Sequence, residues 1–343
     1  MSDNVWLKFP KWRTTYGPVV YLRMFHQHVI VINTLQAAID LPEKRATIYS
    51  SRPRFEVACQ MLTEGYSFTF QAYGDLWRRM RRAAHESLHK GVVHQLHNIQ
   101  TVEAALLLHS LLDAPKDWED HMKRAAGSTL LSACYGTPLL RGSDDPTMEI
   151  LDTFTSKIVR AGYIDGTYVE YLPFLKHIPA RLAPWKNEAL VWGPRFTKLF
   201  GDLFTWARDR AINGESPETI SAMMIENQVR YNLSVQEAGW LVGTVGINRD
   251  QAIWGPDADD FNPERYMDVR GGKLSSVMTD TKEEGHVSFG FGRRICVGRH
   301  VAHDSLLLNM ASILWMFDIK APLDALGQEV ACGEESVDHG LAV

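Results

Sequence analysis

Cysteine is scarce. Cys59, Cys134, Cys296 and Cys332 are the four in 343 residues, and no two stand at a paired spacing. That argues against a disulfide-framed scaffold and fits a reducing compartment. Long apolar runs are missing as well. Residues 1–18 are polar and aromatic, with nothing of the length a signal peptide or membrane span needs. Positive charge is not in excess: Lys+Arg 36 against Asp+Glu 41 gives −5, which argues against a nucleic-acid partner. No internal repeat or low-complexity tract interrupts the chain. Hydrophobic residues at 45% and charged residues at 22% give an ordinary globular balance, enough for one large core or two small ones.

What is present centres on residues 287–300, Val-Ser-Phe-Gly-Phe-Gly-Arg-Arg-Ile-Cys-Val-Gly-Arg-His. Its skeleton is Phe289, Gly292, Arg294, Cys296 and Gly298, followed by a helix-like run from Arg299 to about Phe317. A sulfur that must serve as an anionic metal ligand gains from this placement, because a helix N-terminus favours a thiolate. Glycines on both sides allow close approach of a flat macrocycle and unusual backbone angles. Arg294 adds a cation suited to carboxylates, and Phe289 an apolar plate. A glycine-rich turn around a buried, inert cysteine is the plain alternative, and it would win for a lone cysteine. Five such positions within ten residues favour the ligand loop.

A second signal lies upstream. Residues 73–82 predict a helix from about Asp75, on which Trp77 and Arg81 stand four apart and share a face. Alone, that stretch reads equally well as a solvated basic face.

Together these residues resemble the cytochrome P450 superfamily in its fungal, microsomal form. The resemblance implies a heme cofactor with Cys296 as the axial iron ligand. It implies that Phe289, Gly292, Arg294 and Gly298 shape the heme loop, and that Trp77 and Arg81 donate to a heme propionate. It further implies a monooxygenase that inserts one oxygen atom from O2 into a small apolar organic substrate. Electrons would come from NADPH through NADPH-cytochrome P450 reductase on the cytosolic face of the endoplasmic reticulum membrane, with a place in secondary metabolism. The implied fold is mainly α with a small β portion, residues 1–343 forming one cytochrome P450-like domain. No membrane anchor of the usual kind is seen, which leaves a cytosolic location open.

The resemblance has a gap. Ser234 and Glu237 form a capping-box signature, and the residues after them resemble the start of the family's long central helix. That helix should carry an acid–alcohol pair (Ala/Gly-Gly-x-Asp/Glu-Thr), which is absent. By residues 247–256 the chain resembles a segment that the family places far downstream, just ahead of Pro263-Glu264-Arg265-Tyr266. No glutamate in the chain is followed three residues later by arginine, so the family's Glu-x-x-Arg partner of Arg265 is missing too. An internal deletion near residues 245–247 is therefore expected, giving an incomplete cytochrome P450 fold with no distal catalytic residues. A non-catalytic heme-binding or regulatory protein follows as an alternative.

A third reading rests on His85, Glu86 and His89, a formal His-Glu-x-x-His zinc motif in which the histidines would chelate and the glutamate act as base. Its extended form fails, since Gly91 and His94 each fall one residue early. Glu103 offers a third ligand without special spacing. Elsewhere the pattern predicts a hairpin over 19–33 and a helix over 35–49 disturbed by Pro42. It also predicts helices over 94–135 broken at 113–115, and a buried helix ending on Gly136 with Cys134 as a core residue.

Overall fold

The computed structural model describes residues 8–25, 27–140, 142, 145–162, 168–215, 219–244, 289–320 and 328. Pro263–Tyr266 and the junction near residues 245–247 lie outside them.

Helix α1 (Lys8–Tyr16) leads into an antiparallel hairpin of β1 (Val19–Met24) and β2 (Gln27–Ile32), in register from Val19↔Ile32 to Met24↔Gln27. Strand β2 starts two residues earlier than its apolar pattern suggests, because Phe25 takes a left-handed φ of 55° and reverses the chain at once. This is the one sheet among the described residues. Thr34 caps α2 (Leu35–Ala38) by accepting from the Ala37 N–H. The chain then widens into a π-helical turn, Ile39–Glu43, and resumes as α3 (Ala46–Tyr49). Pro42 sits inside that turn. Proline cannot supply the N–H an α-helix needs there and its ring crowds the preceding turn, so the helix is remodelled at the residue that disturbs its pattern.

The remaining helices are α4 (Asp75–Leu88), α5 (His97–Asp113), α6 (Trp118–Tyr135), α7 (Pro146–Gly162), α8 (Pro184–Ile212), α9 (Ile220–Glu226), α10 (Gln228–Tyr231), α11 (Val235–Gly243) and α12 (Arg299–Met316). The fold is thus mainly α with a small β portion. On α4, Trp77, Met80, Ala83, Ala84, Ser87 and Leu88 are buried at three- and four-residue spacing, so one stripe enters the core and Arg78 and Arg82 stay outside. Helix α6 ends as its glycine predicts. Gly136 is left-handed at φ 72°, and its N–H closes on Ser132 O at 2.8 Å. Cys134 is buried beside it, where desolvation pushes its thiol up to about 12 and leaves it inert.

Helix α11 is capped as expected. The Ser234 hydroxyl accepts from the Glu237 N–H at 3.2 Å, and the Glu237 carboxylate accepts from the Ser234 N–H at 2.7 Å. Its residues Trp240, Leu241 and Val242 are buried, Trp240 with its ring centroid 5.0 Å from that of Phe200 on α8. Helix α8 in turn lies directly on the π-helical segment Glu56–Met61. A Cβ at Gly193 would stand 2.3 Å from Met61 O, a backbone atom with nowhere to go. Gly193→Ala is therefore expected to cost about 1–3 kcal/mol in denaturant unfolding. A loss below about 0.5 kcal/mol, the scale of ordinary surface substitutions, would contradict that packing.

Helix α12 is held by α5. The Gln100 side-chain amide donates to Val301 O at 3.0 Å and Ser305 Oγ at 2.8 Å, and His97 meets Asp304 at 3.2 Å. Ile313 and Phe317 pack on Leu107 and Leu111.

Candidate functional site

Trp77 and Arg81, one turn apart on α4, meet the Cys296 loop. Between them lies a cavity of about 550 Å³ whose lining includes Tyr73, Trp77, Arg81, Gly292, Ile295 and Arg299. That is within the ordinary range for a small-molecule or cofactor site. Arg78, Arg82, His85 and Arg293 complete the lining, so arginine dominates and no carboxylate of the described residues takes part. Guanidinium groups gathered around one cavity make a receptor for anions, even with Arg78 paired to Asp75 at 3.5 Å.

The loop itself is a closed turn. The Cys296 N–H donates to Phe289 O at 2.9 Å, and the half-buried Cys296 stands three residues ahead of α12. Arg81 donates to Ile295 O, and Arg299 to Cys296 O at 3.2 Å. Burial lowers the Arg81 guanidinium to about 10, and the adjacent Cys296 opposes that fall. Arg81 remains a cation at neutral pH, and with Arg299 and the start of α12 it places positive potential around the sulfur. Val297, buried in the same core cluster as Trp77 and Met80, pins the loop from within.

Trp77 Nε1 is buried and has no hydrogen-bond partner among the described residues. A lone buried N–H costs about 1–3 kcal/mol, so the site is built for an acceptor. The indole is otherwise packed, with Phe68 stacked at 5.8 Å and the Arg294 guanidinium 4.1 Å from the ring centroid.

Two of the expected residues have tertiary partners that their spacing did not announce. Arg294 is already engaged with backbone carbonyls. It donates to Ser50 O at 2.8 Å, Gln71 O at 2.8 Å and Phe68 O at 3.5 Å, and so ties the loop to the segment before α4. Burial is the first cause that lowers its guanidinium to about 10. Gly292 lines the cavity and takes the unusual backbone angle expected of it. Its φ is +62°, and a Cβ there would come 2.1 Å from Pro42 O. Gly298 caps α12 with unexceptional angles, φ −82° and ψ 5°.

Tyr73 and Arg299 are lining residues that the sequence did not single out. Tyr73 accepts from Arg293, whose guanidinium also lies 5.3 Å from its ring centroid.

The zinc motif is not assembled into a site. Glu86 accepts from Tyr231 Oη at 2.9 Å and from Arg230 at 3.1 Å, leaving it no role as a base. The His89 ring takes the Gly91 N–H at 3.1 Å. His85 lies on the arginine-lined cavity, its imidazole held low first by burial and then by Arg81. Glu103 is buried and paired with Arg124 of α6. Among the described residues no three His, Cys, Asp or Glu side chains are grouped to hold a metal ion.

The cytochrome P450 family model matches residues 1–189 and 240–329. The chain belongs to the cytochrome P450 family. A cytochrome P450 monooxygenase of Armillaria gallica is 32% identical over 425 residues, covering 95% of this chain and 81% of the relative. Cytochrome P450 monooxygenase 58 of Postia placenta is 30% identical over 435 residues, covering 98% and 82%. Both matched spans are longer than the 343-residue chain itself, so these relatives carry sequence that it lacks. The fold also resembles a zebrafish cytochrome P450 solved with progesterone, with TM-score 0.60, 16% identity and 93% of each chain covered.

Heme is the family's cofactor, and this P450 offers residues that fit it. The cationic lining suits two propionates, the unpartnered Trp77 N–H suits one carboxylate oxygen, and the Cys296 loop forms one margin of the site. No helix among the described residues is long and apolar enough to cross a membrane.

Proposed function

We propose that this P450 is a heme-thiolate monooxygenase acting on a small apolar organic substrate with O2 and NADPH-derived electrons. One observation carries the reading: a cavity lined by arginine, with an unpartnered buried Trp77 N–H, closes onto the Cys296 loop. Cys296 takes the role of axial iron ligand. Trp77 and Arg81 hold a propionate, and Arg299 adds positive charge on the same side. Phe289, Gly292 and Gly298 set the loop's path, while Arg294 braces it and covers the Trp77 ring. Heme, when bound, supplies oxygen activation, which electron donation from a thiolate favours. The residues of the chain bind and orient it, balance its negative charge and keep the sulfur anionic. The electron donor in this reading is NADPH-cytochrome P450 reductase at the cytosolic face of the endoplasmic reticulum.

The second reading, a heme-binding protein with little turnover, has its own support. The sequence lacks the acid–alcohol pair that α11 leads toward in the family, and the relatives' matched spans exceed this chain's length. Both facts favour an internal deletion near residues 245–247 that removes the groups governing protons at the distal face.

The test is a carbon monoxide difference spectrum of the reduced, purified chain, followed by NADPH consumption with a P450 reductase and apolar substrates. A thiolate-type Soret band with substrate-dependent oxidation supports the monooxygenase. The band without oxidation supports the heme-binding protein, and no heme uptake sinks both. In the same assay Trp77→Phe, which removes only the N–H and one ring, is expected to weaken heme retention about tenfold or more. Unchanged heme affinity would remove Trp77 from the propionate site.

A further inference from the structure

We infer that Glu43 is a positioning residue for the Cys296 loop. It acts through the Gly292 N–H, which donates to Glu43 Oε2. The inference rests on the reading of Cys296 as the heme ligand.

The contact is built from both sides. On one side is the π-helical turn Ile39–Glu43, remodelled around Pro42, which presents the Pro42 carbonyl and the Glu43 carboxylate together. On the other, Gly292 takes a φ of +62° and lies so close to the turn that a Cβ would reach 2.1 Å from Pro42 O and 3.4 Å from Ala46 Cβ. Only a glycine fits there, and its N–H meets the Glu43 side-chain oxygen. Gly292 lies inside the turn closed by the Cys296 N–H on Phe289 O, so a shift at Gly292 is passed to the sulfur-bearing residue. Arg294 continues the seam by donating to Ser50 O and Gln71 O. The flank of the loop after the cysteine is secured differently, by buried Val297 and by Gln100 of α5, which donates to Val301 O on α12. Glu43 and Arg294 thus fix the approach to Cys296, while the core fixes the exit. π-Helical turns recur at functional sites, and here the turn delivers a carboxylate to a backbone donor.

The full chain is compared as wild type, Glu43→Ala and Glu43→Gln by amide hydrogen exchange without heme. The heme-loaded proteins are then compared by the ratio of thiolate-type to neutral-thiol-type Soret bands in the reduced carbon monoxide complex. Glu43→Ala is expected to speed exchange at Gly292 and Cys296 about tenfold while α5 and α6 keep their rates. It is also expected to raise the neutral-thiol fraction. Glu43→Gln, whose amide oxygen still accepts, is expected to restore both. Unchanged exchange at Gly292 in Glu43→Ala, or exchange raised equally across the chain, overturns the inference. So does failure of Glu43→Gln to restore the wild-type rate. If no variant takes up heme but Gly292 exchange responds as expected, the clasp stands and the heme reading fails.

Discussion

Cys296→Ala is expected to abolish the thiolate-type Soret band of the reduced carbon monoxide complex, with any remaining heme showing the band of a neutral ligand. The change removes one sulfur from a half-buried position and keeps the backbone bond from the residue 296 N–H to Phe289 O available. Helix α12 retains its bonds to Gln100, and Val297 its place in the core. The fold should therefore survive, with a stability loss on the order of 1 kcal/mol, typical of a small truncation at a partly exposed site. Cys59→Ala and Cys134→Ala are the natural controls. Both thiols are buried and pushed up by desolvation, Cys134 to about 12, so neither is a thiolate at neutral pH. These two variants should keep the band. A thiolate band that persists in Cys296→Ala would refute the ligand assignment.

The loop was readable because its chemistry is local. Cys296, its glycines and the following helix lie within a few residues, and one helical turn relates Trp77 to Arg81. Capping at Ser234, the stop at Gly136 and the disturbance at Pro42 were readable for the same reason, since each depends on a residue's own backbone preferences. What stayed hidden depends on residues brought together from far along the chain. Arg294 looked like a carboxylate binder because a guanidinium suits carboxylates. Its carbonyl partners, Ser50 and Gln71, are more than 200 positions away. Gly292 does line the cavity, but the atom that forbids a Cβ there is Pro42 O, about 250 positions away in the chain. The His85-Glu86-His89 motif failed in the opposite direction. Its spacing was right for two ligands on one helical face, but Tyr231 and Arg230 had already claimed the glutamate. Spacing predicts which side chains can share a face; tertiary partners decide what is left for them to do.

That distinction governs the second large effect, at a pair no motif marks. Glu103 on α5 and Arg124 on α6 are each 2% exposed and joined by one bond of 2.9 Å, with Arg124 also donating to Leu140 O at 2.8 Å. Glu103 Oε1, Arg124 Nε and Arg124 Nη2 have no hydrogen-bond partner among the described residues. The pair is therefore buried but incompletely satisfied, where the cost of desolvation is least offset. Removing one member strands the other. Arg124→Met is expected to cost about 3–5 kcal/mol, because the Glu103 carboxylate then sits in the core without a cation. Removing both is a different experiment. Glu103→Leu combined with Arg124→Met replaces the ions with apolar groups of similar size, and is expected to be neutral or to gain about 1–4 kcal/mol over wild type. Urea unfolding of the two single variants and the double variant closes the cycle. Heme retention should track the single losses, because α5 also carries the Gln100 bonds that seat α12 behind the Cys296 loop. If Arg124→Met alone costs less than about 1 kcal/mol, the carboxylate is reaching water and the α5–α6 contact is looser than this packing requires.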